Sequence, residues 1–157
     1  MNDDLHSLMN VIDENKNLYG DVISGNKISR DQSRALMINN EKIRDIIVEY
    51  RHLAVALKER KESFDFNNSS LNAYKLSRVY YEWNAEGADQ SLGMQKQNQV
   101  EISDELNSSW SAIADEFISI DFELGRNDWL NFIEALESQT IRFMEKNKID
   151  SIEEMWS

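Results

Sequence analysis

Apolar residues recur along this chain at three- and four-residue steps, the period of one face of an α-helix, and no stretch sustains the alternation of a strand. Leu5, Leu8, Met9 and Ile12 set the first such face, predicting a helix from about Asp3 to Tyr19. Asn2 or Asp3 can cap it, and Gly20 offers a stop. A linker from Gly20 to Ile28 leads to Ser29 and Gln32, the S-x-x-Q of a capping box. The second helix starts there and extends to about Glu62, with a kink expected at Asn39-Asn40. Its Ile43, Ile47, Tyr50, Ala54 and Leu57 form one stripe, widened by Ile46 and Leu53, while Val48 and Val55 add apolar surface on a second side. A helix apolar over so much of its circumference belongs at the centre of a bundle.

The third helix follows the turn Asn67–Ser70 and runs to about Glu86, with Leu76, Val79, Tyr80 and Trp83 inward. Residues 87–100 hold two glycines and four glutamines without periodicity and read as a mobile loop. The fourth helix is expected from Ser103 to Leu124, on the stripe Leu106, Trp110, Ile113, Phe117, Ile120 and Leu124, with Gly125 as its stop. The fifth starts at Asn127 and carries Trp129, Ile133, Leu136, Thr140 and Phe143. A short terminal helix, 151–156, opens on a Ser151/Glu154 capping box. The expectation is an all-α, single-domain bundle over 1–157, with about five main helices and a long central second one. Short connections make helices one and two, and four and five, antiparallel hairpins.

Composition reinforces this. An average chain of 157 residues would hold roughly eight prolines; this one has none, which suits long uninterrupted helices. With no cysteine, disulfides, thiolate metal sites and cysteine nucleophiles are excluded. No run approaches a membrane span, and the acidic start is unlike a secretion signal, so a cytoplasmic protein without membrane contact is expected.

Charge changes the picture more. Of the formal −12, residues 101–157 contribute −10, from 14 acidic and 4 basic side chains. Such a block repels phosphate, which argues against direct nucleic-acid binding. Helical spacing and an antiparallel hairpin bring Asp115, Glu116, Glu134 and Glu137 towards one patch, with Asp104, Asp121 and Glu123 at its edge. A clustered set of carboxylates is relieved by a basic partner.

Catalytic motifs fare worse. Gly20–Lys27 departs from a P-loop by one inserted residue and follows a helix instead of a strand. Asp3-x-x-His6 and Glu49-x-x-His52 have the spacing of a carboxylate–histidine metal unit, but they lie on separate helices and are expected to be solvated. No G-x-S-x-G is present. Glu101-x-x-Asp104 and Glu134-x-x-Glu137 resemble the paired acidic units of helical magnesium-dependent nucleotide pyrophosphohydrolases, although in reverse order and without basic neighbours for a triphosphate. Phe64-Asp65-Phe66 and Tyr80-Tyr81-Glu82-Trp83 read as core-finishing aromatics. The expected function is therefore a non-enzymatic inhibitor, a phage-encoded, immunity- or antitoxin-like module, presenting an acidic helical surface to a basic, nucleic-acid-handling protein. No catalytic residue, cofactor or metal is expected. The alternatives are the magnesium-dependent hydrolase and an assembly subunit that forms a homo-oligomer through its long helix.

Overall fold

A computed structural model describes residues 1–57, 67–87 and 90–156. Five long helices account for nearly all of it: α1 (Asn2–Gly25), α2 (Arg30–Ala56), α3 (Asn68–Ala85), α4 (Met94–Phe117) and α5 (Asp128–Asn147), followed by a 3-10 turn, Ile152–Trp156. Two short strands, β1 (Lys27–Ile28) and β2 (Gln90–Ser91), pair antiparallel and tie the α1–α2 connection to the approach to α4.

Side-chain contacts fix the register. Asn15 meets Asn39, and Asp4 meets Tyr50, so α1 and α2 run antiparallel. Asn84 on α3 reaches Arg30 and Ser33 on α2, and Arg44 lies over Tyr74, so α3 is antiparallel to α2. Asn107 on α4 bonds the Ile12 carbonyl of α1. Trp110 meets Thr140, and Phe117 meets Phe132, completing the antiparallel α4–α5 hairpin. The longest helix, α2, packs against α1, α3 and α5, while α4 lies across α1 from it.

Local chemistry explains most boundaries. The Ser29/Gln32 capping box is present in full, with both reciprocal bonds at 2.9 and 3.0 Å. Asn67 caps α3 by accepting from the Ser70 amide. Asp3 and Asp4 in the first turn of α1 complement its positive end.

Four expectations are corrected. Gly20 does not stop α1, which continues to Gly25 and ends where Asn26 adopts a left-handed φ of 50°. An exposed glycine costs a helix only about 1 kcal/mol, and burial of Tyr19 and Val22 on either side offsets it. Asn39-Asn40 does not break α2. Both side chains are buried in the bundle, Asn39 donating to Asn15 and Asn40 to the Leu36 carbonyl and the Tyr19 hydroxyl. The loop expected over 87–100 is half helix, because α4 begins at Met94 and seats Val100 in the core. It also ends at Phe117, seven residues before the expected Leu124, which is 55% exposed. The expected end of α2 near Glu62 and the Phe64/Phe66 pair lie outside the described residues.

The core stripes of α1 and α5 match expectation throughout: Leu5, Leu8, Met9, Ile12, Trp129, Ile133, Leu136, Thr140 and Phe143 are all buried. Trp83, Trp110 and Trp129 are core, and Trp156 is half-buried against it.

Candidate functional site

The outer side of α4 carries residues 101, 104, 105, 108, 112, 115 and 116, one face at three- and four-residue spacing. Those positions read Glu, Asp, Glu, Ser, Ala, Asp, Glu. All are exposed except Asp104, which is half-buried. At 1.5 Å per residue the face is about 22 Å long. Eleven residues are three helical turns, so Asp104 and Asp115 lie in one row and Glu105 and Glu116 in the next. Lys16 of α1 stands near Asp104, and Lys146 of α5 bonds Glu105 at 2.8 Å. Beyond α4, Asp121 and Glu123 are exposed in the connection to α5, Glu123 lying 4.0 Å from Arg126.

The acidic residues of α5 do not join this face. The hairpin register does bring Glu134 level with Glu116, as the spacing predicts. Rotation about the helix axis separates them: the side of α5 turned to α4 presents Gln139, Arg142 and Lys146, which form a cleft with Glu105 and Ser109. Glu137 points the other way and is buried, 7% exposed. Its carboxylate accepts from the Asn68 amide at 3.0 Å, the Ser69 amide at 2.8 Å and Asn68 Nδ2 at 2.8 Å. These amides open α3, so Glu137 is a tertiary cap for that helix and is removed from the docking set. Glu134, one turn earlier on the same side of α5, is half-buried and also separate from Asp115 and Glu116. Glu101 and Glu105 replace them. Placing the helix start at Ser103 left Glu101 outside the helix, although continuing the 3/4 spacing backwards from Asp115 reaches both Glu105 and Glu101.

The same geometry separates the two acidic pairs of the hydrolase reading. With Trp110 opposite Thr140, Glu137 is level with residue 113, about 13 Å along the axis from Asp104. Among the described residues no group of three or more His, Cys, Asp or Glu is arranged to hold a metal ion.

His6 is not the freely solvated side chain expected. It is half-buried, its Nε2 lies 2.8 Å from the Ile120 carbonyl, and its ring packs beside Phe122. Together with Asn2, which accepts from the Phe122 amide, it pins the α4–α5 connection to α1. His52 is exposed, at the rim of an apolar cleft with Met1, Leu53 and Leu124.

Burial raises the pKa of Asp104 above the ordinary carboxylate value, against the opposing pull of Lys16 and a hydrogen bond from Ser108. A raised carboxylate holds its proton more tightly in the folded state, so its contribution favours folding at low pH and is lost as pH rises through the folded value. Asp104→Asn should therefore stabilise the protein at pH 7 by a few tenths of a kcal/mol, solvent screening keeping the effect small. The gain should fade as pH falls through the carboxylate range; urea titrations at pH 7 and pH 4 measure it, and equal gains at both would contradict the desolvation argument.

Among the described residues no helix is long and apolar enough to cross a membrane. Compared with family models, curated proteins and solved structures, the chain matches none of them.

Proposed function

We propose that this chain is a non-enzymatic protein-binding module whose α4 face docks a basic protein. One observation carries the reading: five carboxylates, Glu101, Asp104, Glu105, Asp115 and Glu116, share the outer side of a single rigid helix with only the small Ser108 and Ala112 between them. Local compensation is slight, since Lys16 and Lys146 flank one end and Asp115 and Glu116 form no ion pair with a described residue. Surface charge of one sign raises the encounter rate with an oppositely charged partner and discriminates against nucleic acid. A basic protein that itself handles nucleic acid has the complementary field, and occupying that field would inhibit it. Inhibition of the immunity or antitoxin kind needs no catalytic group.

Affinity capture from host extract tests the proposal, comparing the natural chain with Asp115→Lys/Glu116→Lys. Both positions are exposed, so helical circular dichroism should be unchanged. The expected result is a basic protein, released by salt and captured at least tenfold less by the variant. Equal capture by both chains would show that α4 is not the docking face.

A further inference from the structure

We propose a second docking surface: the groove between α2 and α3, which fits an acidic amphipathic helix of a partner protein. It lies on helices separate from α4 and does not depend on the reading of that face.

The groove is built from residues that a monomer would be expected to keep inside. Leu71, Tyr74 and Tyr81 fall on one side of α3, spaced three and seven residues apart, and are 40%, 37% and 52% exposed. Arg78 completes that side, and Met37 of α2, partly buried, is level with Tyr81 in the antiparallel register. At the Leu71 end the groove deepens into a cleft of about 330 Å³, lined among others by Arg44, Val48, Leu71 and Tyr74. Tyrosine, arginine and aliphatic side chains together are the composition of protein-interface centres, where aromatic and arginine side chains carry most of the binding energy.

The arginines state the sign of the partner. The Arg44 guanidinium lies 5.6 Å from the centre of the Tyr74 ring, and Arg78 lies 5.4 Å from that of Tyr81. Arg44 is engaged further by Asp45, which accepts from its Nε and Nη2, whereas Arg78 is oriented by its ring alone and keeps its N–H fork for a partner. Arg34 sits one turn before Ile38 on the exposed side of α2. Arg30, exposed one turn before Arg34, adds a fourth cation, and against these stand Glu82, one turn from Arg78, and Glu41 and Asp45, both turned to Arg44. Arg34 and Arg78 have no ion pair with a described residue. In a chain of formal charge −12, this is a face where cations outnumber anions.

A partner must therefore bring carboxylates for Arg34 and Arg78, and apolar side chains for the cleft and for the space between the tyrosines. Ten residues separate Leu71 from Tyr81, about 15 Å, so an amphipathic helix of three to four turns spans the groove. Its apolar stripe would meet Leu71, Tyr74 and Val48, and glutamates flanking that stripe would meet the arginines. It would lie on the α2–α3 pair as a third, parallel-packed helix.

The test uses the whole chain and two synthetic peptides of about 15 residues, both with leucine at i, i+3, i+4 and i+7 spacing. One carries glutamate at the remaining positions and the other lysine. Backbone amide shifts are followed by NMR, with sedimentation of the protein alone in parallel. The acidic peptide should give saturable shifts confined to residues 34–48 and 71–81. Tyr74→Ala/Tyr81→Ala should weaken it at least tenfold, and Arg34→Glu/Arg78→Glu should abolish its preference over the lysine peptide at this face. These side chains are partly exposed, so circular dichroism should be unchanged; Tyr81→Ser alone, at the most exposed position, is the control that leaves packing intact. Shifts that avoid the groove, or affinity unchanged in both variants, would overturn the proposal. So would concentration-dependent association of the natural chain that Tyr74→Ala/Tyr81→Ala removes, because the occupant would then be a second copy. The lysine peptide reports separately on α4, so either face can fail alone.

Discussion

Replacing Glu137 with alanine should destabilise the fold by about 3 kcal/mol, more than the removal of any exposed carboxylate. The loss would be felt on a different element from the one mutated. Glu137 sits on α5, but its two oxygens satisfy the Asn68 and Ser69 amides and the Asn68 side chain at the start of α3. Hydrogen bonds to a charged group contribute about 1.5–3 kcal/mol each, and alanine leaves buried donors without an acceptor, so the desolvation penalty adds to the lost bonds. Water entering beside Asn68 recovers part of it. Glu137→Gln keeps one carbonyl oxygen and should lose about half as much. Urea unfolding supplies the free energies, and amide hydrogen exchange locates them: protection should fall first at Ser70, Leu71 and Asn72, before α5 itself is affected. A loss below about 1 kcal/mol, with α3 still protected, would mean that Asn67 alone holds that terminus.

Trp110→Ala is expected to be the most destabilising single change, at about 3–5 kcal/mol, the range for large-to-small substitution at a fully buried aromatic position. Trp110 is 0% exposed and is among the largest fully buried side chains of the core. Its indole N–H donates at 2.8 Å to Thr140, whose hydroxyl donates in turn to the Leu136 carbonyl. Alanine therefore leaves a cavity and removes one of the links that hold α4 in register with α5. Trp110→Phe separates the two contributions. It keeps much of the volume but not the donor, and should cost about 1–2 kcal/mol. The pair Trp110→Phe with Thr140→Val should then be less destabilising than the sum of the single changes, because neither orphans the other's partner. Additive losses would show that the bond contributes nothing beyond packing.

These substitutions bear on the docking surface as well. A charge-reversal experiment that included Glu137 would unfold part of α3 and mimic loss of binding, whereas Asp115 and Glu116 report on the α4 face without that ambiguity.

Much of this molecule was legible in the order of its residues. The helical class, the number of main helices, the Ser29/Gln32 cap and the core stripes of α1 and α5 follow from local causes: period, capping chemistry and the absence of proline act within a few residues of one another. Boundaries governed by tertiary burial were not legible. Gly20 has the chemistry of a stop but is carried through by Tyr19 and Val22, and Asn39-Asn40 has the chemistry of a break but finds partners on α1 and within α2. Segment 94–100 lacks a convincing stripe by itself, and its helix is held by the core contact of Val100 and by the ion pair of Lys96 with Glu86.

For the site, sequence determined the sign and amount of charge in the last third of the chain, and the level at which α4 and α5 residues meet along their axes. Only the tertiary structure decided the rotation of α5 about its own axis, because that depends on which buried surface each neighbour offers. The start of α3, with its unsatisfied amides, turned Glu137 inward. Glu137, which spacing placed in the α4 patch, thus became a structural cap on another helix.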